Sequence, residues 1–214
     1  MQDTLRITEV FYSLQGETRT AGLPTVFVRL TGCPLRCQYC DSAYAFTGGT
    51  IRTLDDILEQ VAGFRPRYVC VTGGEPLAQP NAIPLLKQLC DAGYEVSLET
   101  SGAIEVADVD PRVIKVVDIK TPGSDEVEKN LWQNLDYLLP HDQIKFVICH
   151  QADYLWSKEV LDKHRLAEKC QVLFSPSHEE LPPGELADWI LQDKLPVRLQ
   201  IQLHKYLWGD VRGK

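Results

Sequence analysis

The sequence predicts an α/β fold, a partial (β/α)6-like barrel over residues 1–214 as a single domain. Three observations carry this. Apolar, β-branched segments alternate with helix-like segments, the signature of repeated βαβ units. The C-terminal ends of the apolar segments are polar and glycine-rich, where both a doubly wound sheet and a barrel place ligands. The spacing admits either architecture, but 214 residues fall short of the roughly 250 of a complete eightfold barrel and suit about six units.

The elements follow in order. Buried strands are expected at 25–30 (TVFVRL), 67–72 (RYVCVT), 94–100 (YEVSLET), 114–120 (IKVVDIK), 144–150 (IKFVICH), 170–175 (CQVLFS) and 197–203 (VRLQIQL). Helices are expected between them. Thr53 with Asp56 forms a capping pair, Gly93 closes the helix ending LLKQLCDA, and Pro140 lies just beyond NLWQNLDYLL. The strand ends read RLTGC, VTGGEP, LETSG, DIKTPG, ICHQ, FSPS and QLHK. The stretch SPSHEELPPGE is a loop within the domain, not a boundary.

Composition narrows the function. No apolar run is long enough to cross a bilayer, and Asp3, Arg6 and Glu9 interrupt the N-terminus where a secretory signal needs an apolar stretch. The chain is expected in the cytosol, where its seven cysteines stay reduced and serve as core residues, metal ligands or reactive thiols. A formal charge of −8 argues against a broad nucleic-acid surface and for a small-molecule partner.

The segment TGCPLRCQYCDS places Cys33, Cys37 and Cys40 in the spacing C-x3-C-x2-C. A structural zinc wants four ligands, and Cys70, Cys149, His150 or His204 stand as candidates for a fourth. Three thiolates suit a [4Fe–4S] cluster that keeps one iron open, since an electron-transfer cluster generally takes four. One strand later come Gly73, Gly74, Glu75 and Pro76. The glycines let backbone approach a bound amino acid, and Glu75 is a hydrogen-bond acceptor for an ammonium.

With Tyr39 just before the last cysteine, these motifs resemble the radical SAM superfamily, and so imply its barrel. There the open iron chelates S-adenosylmethionine (SAM), and one electron from the cluster yields a 5′-deoxyadenosyl radical. EVFYSLQGE, FVRLTGCPLRCQYCDS, VTGGEP, ETSG and QLHKYLWG together look like the 7-carboxy-7-deazaguanine synthase family, over nearly the whole chain. The resemblance implies ring contraction of 6-carboxy-5,6,7,8-tetrahydropterin with loss of ammonia, in deazapurine and queuosine biosynthesis. It implies hydrogen abstraction from C6 with SAM regenerated, a homodimer, and a low-potential donor such as flavodoxin.

By the same resemblance the pterin contacts are Leu14, Gln15, Gly16, Glu17, Arg29, Thr72 and His204, with Arg29 forking onto the carboxylate. The SAM contacts are Tyr39, Cys40, Asp41, Gly73, Gly74, Glu75, Asp118, Lys120, Ser175 and Ser177. Ser42, two positions after the last cysteine, stands where the family usually has a threonine on Mg²⁺. Two departures stand out. Asp118-Ile119-Lys120 replaces the common Ser-Pro-Lys, and Ser101 replaces an asparagine. Two rivals remain in view. A glycyl-radical activase shares the cysteine spacing and Asp-x-Lys but would not account for YSLQGE with Arg29; a non-catalytic zinc- or cluster-binding assembly module would cleave no SAM. His141, His150, His164 and His178 read as ordinary surface or loop histidines, and Cys70, Cys90, Cys149 and Cys170 as small core residues.

Overall fold

The structure is a computed structural model and describes residues 3–213. Strand β1 (Thr4–Leu14) turns back as β2 (Pro24–Leu30), and β3 (Thr50–Thr53) pairs with the other edge of β1, both antiparallel. From β2 onward the strands run parallel: β4 (Tyr68–Gly73), β5 (Glu95–Thr100), β6 (Ile114–Asp118), β7 (Gln143–Ile148), β8 (Gln171–Pro176) and a short β9 (Arg198–Leu199). The sheet order is β3-β1-β2-β4-β5-β6-β7-β8-β9, open at both ends as a partial barrel requires. The helices are α1 (Leu54–Gly63), α2 (Ala82–Asp91), α3 (Gln151–Lys163), α4 (Leu166–Lys169), α5 (Pro183–Asp193) and α6 (Leu203–Trp208). Among the described residues no helix is long and apolar enough to cross a membrane.

Two apolar clusters back the sheet. One packs Ile57, Val61, Leu85 and Leu89 against Val26, Val28, Val69 and Val71. The other packs Tyr154, Leu161, Leu186 and Ile190 against Ile144, Phe146 and Phe174. Helices cover the outer face; alternate residues of the same strands face the concave side. Phe27 and Arg29 of β2, Val116 and Asp118 of β6, and Lys145 and Val147 of β7 therefore point inward together.

Curvature is visible in one connection. The loop from Gln15 to Leu23 is closed by Gln15 N–H donating to Leu23 O (2.9 Å) and Gly22 N–H to Gln15 O (2.7 Å). It also reaches β7, four strands beyond β2 in the sheet order, where Arg19 N–H donates to Gln143 Oε1 (2.9 Å) and Lys145 Nζ lies 3.0 Å from Glu17 Oε2. A flat sheet would hold those strands too far apart for one short loop to touch both.

Several sequence expectations hold. Thr53 caps α1 in a full capping box with Asp56, and Gly93 N–H donates to Cys90 O (3.0 Å) beyond α2. Others are corrected. The expectation did not include β1 or β3: Arg6 and Glu9 break the apolar run of β1, whose bulge between Ile7 and Glu9 further blurs its alternation. The crossover from β5 to β6 has no helix, because Ile104, Val106, Val109 and Val113 enter the core as irregular chain. NLWQNLDYLL forms only a 3-10 segment, Trp132–Asp136. Its buried Asn134 accepts from Val106 N–H (3.0 Å) and donates to Gly102 O (3.1 Å) and Ile104 O (2.9 Å), replacing the partners a helix would give that loop. The last strand stops at Leu199, and residues assigned to its end enter α6 instead.

At the N-terminal ends of β6 and β7, Lys115 Nζ lies 2.8 Å from Asp142 Oδ2, both buried, while Asp142 also accepts from the backbone of Lys115 and Leu139 (2.8 Å each). Removing one partner strands a buried charge. Asp142→Ala is expected to lose about 3–5 kcal/mol, measured by urea unfolding.

Candidate active site

The concave face encloses a cavity of about 640 Å³, within the range of small-molecule sites. Of the residues singled out from the sequence, Leu14, Gln15, Gly16, Glu17, Arg29, Thr72, His204, Cys33, Cys37, Cys40, Tyr39, Asp41, Ser42, Gly73, Gly74, Asp118, Lys120, Ser175 and Ser177 all line it. Glu75 does not.

The cysteine loop leaves β2 and is pinned from below by the end of β4. Gly74 N–H donates to Leu30 O (3.2 Å) and Glu75 N–H to Gly32 O (2.8 Å). The approach is so close that a Cβ on Gly74 would stand 2.3 Å from Gly32 O, which only glycine permits. Outside the loop, Arg36 N–H bonds the Glu126 carboxylate and Gln38 Nε2 donates to Asp125 Oδ2 (2.5 Å). The chain is thus fixed on both sides while three thiols face the cavity.

Burial raises the thiol pKa of Cys33 and Cys40, and that of Cys37 to about 11, with Lys120 opposing the shift in all three. Without metal these thiols hold their protons at neutral pH; a metal must displace them. Among the described residues no three His, Cys, Asp or Glu side chains converge on a point fit for a single ion. Three cavity-facing thiols spread over one loop fit separate irons of a cluster, so the donor set matches [4Fe–4S].

Glu75 departs from the expectation of a direct SAM contact. It is fully buried behind Gly74, and its carboxylate accepts from Leu77 N–H (2.9 Å), Thr100 Oγ1 (2.9 Å), Ser101 N–H (2.7 Å) and Ser101 Oγ (2.5 Å). It orders the β4 and β5 strand ends. Ser101 serves that carboxylate.

Beside the cysteines, Lys120 Nζ donates to Asp118 Oδ2 (2.8 Å) and lies 5.8 Å from the Tyr39 ring centre. Burial works against the Lys120 charge, but Asp118 and Cys37 raise its pKa. Asp118 Oδ1 and the Tyr39 hydroxyl are buried without a hydrogen-bond partner, two polar atoms on the cavity wall awaiting one. Ser175 and Ser177, both buried, extend that wall from β8. Ser42 Oγ donates to Asp41 Oδ1 (2.9 Å).

Across the cavity, Arg29 Nε donates to Glu9 Oε1 (2.8 Å), which also accepts from the Tyr44 hydroxyl (2.7 Å). Burial disfavours the guanidinium, yet Tyr44, Glu9 and Glu99 raise its pKa and it remains a cation. Gln15 Oε1 accepts from Glu17 N–H (3.2 Å), while Gln15 Nε2 donates to Glu99 Oε1 (3.3 Å). Thr72 Oγ1 donates to the other Glu99 oxygen (3.2 Å). Glu17 would be raised by burial, but its pair with Lys145 and a bond from Gln202 hold its pKa below the ordinary 4.5. Lys145 Nζ also stands 3.9 Å from Asp118 Oδ2, between the two walls.

Sequence reading missed Glu9, Glu99, Lys145 and Gln202. Lys145 had a signal: it is the one charge in the apolar run IKFVI of β7. Glu99 opens ETSG at a strand end. Gln202 opens QLHKYLWG, but with the segment from 197 to 203 read as strand nothing gave its side chain a partner. His204 lies on α6 beside Gly16 and not at a strand end.

A model of the radical SAM superfamily matches residues 27–116. The 7-carboxy-7-deazaguanine synthase of Chlorobaculum tepidum is 46% identical over 213 residues, covering 98% of this chain and 97% of that protein. That of Koribacter versatilis is 44% identical over 219 residues, covering 95% and 97%. Among solved structures, QueE from Escherichia coli superposes with a TM-score of 0.76 at 25% identity, covering 93% of this chain and 94% of that one. Streptococcus suis SuiB bound to precursor peptide SuiA shares the fold, with a TM-score of 0.60 at 13% identity over 83% of this chain and 48% of that one.

The Glu17–Lys145 pair makes a signed prediction. Because the folded pKa of Glu17 lies below its ordinary 4.5, its stabilising contribution is complete above pH 4.5 and is lost as pH falls through the lowered value. In Lys145→Met, burial is left uncompensated and Glu17 is expected to titrate above 4.5. The stability gap between wild type and variant should therefore narrow in acid, measured by urea unfolding from pH 3 to pH 7.

Proposed function

Because the chain belongs to the 7-carboxy-7-deazaguanine synthase family of the radical SAM superfamily, we propose that it is a lyase converting 6-carboxy-5,6,7,8-tetrahydropterin into 7-carboxy-7-deazaguanine. The observation that carries this reading is that three cluster-type thiols and the polar set Arg29, Gln15 and Glu17 line one cavity of about 640 Å³. That volume suits a bicyclic substrate beside SAM better than a protein segment. Ammonia is the only by-product, so the conversion consumes no net electrons and SAM can be regenerated.

When bound, the cluster and SAM supply the carbon radical that takes hydrogen from the substrate. The chain's own residues bind, orient and exclude water. Arg29, steadied at Nε by Glu9, places its guanidinium for the substrate carboxylate and so aims the neighbouring C6. Glu17, kept ionised by Lys145, accepts from ring N–H groups, and the backbone of Leu14 through Gly16 borders the pterin edge. Thr72 and Gln15 orient Glu99 at the cavity wall as a further acceptor. His204 adds an imidazole from α6.

On the cofactor side, Asp118 Oδ1 and the Tyr39 hydroxyl offer free polar atoms to the adenosine moiety, Lys120 a cation to the carboxylate, and Gly73 and Gly74 an open backbone to the amine. Cys33, Cys37 and Cys40 would hold the cluster. Asp41, Ser175 and Ser177 complete the SAM contacts, while Glu75 acts behind them by shaping the loop. Ser42 Oγ is our candidate Mg²⁺ ligand, since Mg²⁺ binds few protein oxygens and retains water. We assign the whole of 1–214 to one domain, acting as a homodimer in the cytosol and reduced by a low-potential donor of the flavodoxin type; the family resemblance supports these assignments.

The test is anaerobic turnover of reconstituted protein with the pterin, SAM, Mg²⁺ and dithionite. Ammonia and 7-carboxy-7-deazaguanine are expected in equal amounts by mass spectrometry. Accumulation of only 5′-deoxyadenosine and methionine would overturn the substrate assignment. Arg29→Ala should lower kcat/KM for the pterin by about 10- to 100-fold, the range of a lost charge-assisted hydrogen bond. Its retention of cluster iron would separate this loss from misfolding.

A further inference from the structure

Beyond β9 the chain crosses the cavity mouth without joining a core. Helix α6 has no buried residue, and Tyr206, Leu207 and Val211 are exposed. Polar contacts hold the segment instead. Gln200 N–H donates to Phe174 O (2.9 Å) and Leu203 N–H to Gly16 O (2.9 Å). The His204 ring fits against Gly16 so closely that a Cβ there would stand 2.0 Å from Nδ1. Arg212 lies over the Tyr44 ring (4.2 Å), and Tyr44 in turn bonds the Glu9 that steadies Arg29.

At the centre is one amide. Gln202 Nε2 donates to Glu17 Oε1 and to Asp41 Oδ2, each at 2.9 Å. A primary amide has two hydrogens on that nitrogen, and here each goes to a different carboxylate. Glu17 belongs to the wall with Arg29; Asp41 adjoins the last cysteine. Among the described residues no other side chain donates to both. A neutral amide joins two anions without adding charge, whereas a third carboxylate would repel both.

We propose that Gln202 is a positioning residue that latches the C-terminal segment across the cavity, so that the Glu17 wall and the Asp41 wall take their working geometry only when the segment is seated. The proposal rests on the reaction assigned above for what the two walls bind. With the latch open, the cavity admits substrate; with it closed, water is kept from the reacting atoms. Such a segment, with few buried apolar contacts, is the kind that opens locally while the sheet stays folded.

The test compares wild type with Gln202→Glu. Hydrogen exchange of apoprotein amides over 200–213 should accelerate on the order of tenfold, with the β-strands unchanged. In reconstituted enzyme the pterin KM should rise on the order of tenfold, and more 5′-deoxyadenosine should be released per product. Gln202→Ala carries the same expectations should the glutamate variant fold poorly. Unchanged exchange, or faster exchange with wild-type KM and coupling, overturns the latch. If wild-type protein makes no product, the reaction assignment fails instead. The latch is then judged by exchange together with calorimetric binding of the pterin to apoprotein, where affinity equal in variant and wild type rejects it.

Discussion

Everything in the cavity depends on the ion pair between Glu17 and Lys145. It joins the loop of the first hairpin to β7 across the concave face, at 3.0 Å, and so holds inward a sheet that has no closing strand. A complete barrel gets curvature from its hydrogen-bond closure. This shorter chain closes the same space with a loop, and the closure must be polar because the space is a binding cavity. The pair therefore serves two levels at once: it fixes architecture, and it holds down the pKa of a carboxylate that burial alone would raise.

A second constraint is the close packing of two strand ends. The cysteine loop can sit above β4 only because Gly74 has no side chain, and it keeps its place because Glu75 gathers four donors beneath it. A buried carboxylate with its lone pairs filled is rigid support. As the cluster ligands we propose, the thiols above it would need that rigidity, since three donors from one loop would have to meet irons whose spacing the protein does not set.

Much of this was legible in the sequence because it is local. Six of the parallel strands are apolar runs bounded by turns, and the C-x3-C-x2-C spacing and GGEP are contiguous signals. What escaped was non-local. Strand β1 is recognisable only through its pairing with β2 and β3, and the helix expected at NLWQNLDYLL gave way to a segment shaped by what Asn134 must reach. Glu99 and Lys145 came to the cavity through strand parity, which places every second side chain inward, while Gln202 depended on the strand stopping at Leu199, which no periodicity marks. Glu75 shows the converse. Its motif is contiguous in the sequence, but only the fold reveals that its carboxylate is spent on Leu77, Thr100 and Ser101.

Asp118 brings these strands of argument together. A carboxylate where the resembled family commonly has a serine adds a negative charge to a buried wall, which costs free energy unless it is matched. Here it is matched twice, by Lys120 at 2.8 Å and by Lys145 at 3.9 Å; its charge raises the pKa of Lys120 and adds to the larger raising effect of Glu17 on Lys145. Both close cations lie by Oδ2; Oδ1 stays buried and unpartnered. A hydroxyl would have offered one weaker acceptor and left Lys145 with Glu17 as its nearest carboxylate and Glu99 farther off. The carboxylate instead ties the Lys145 ammonium to both walls of the cavity, so its second ion pairing makes physical sense only with Lys145 in place beside it.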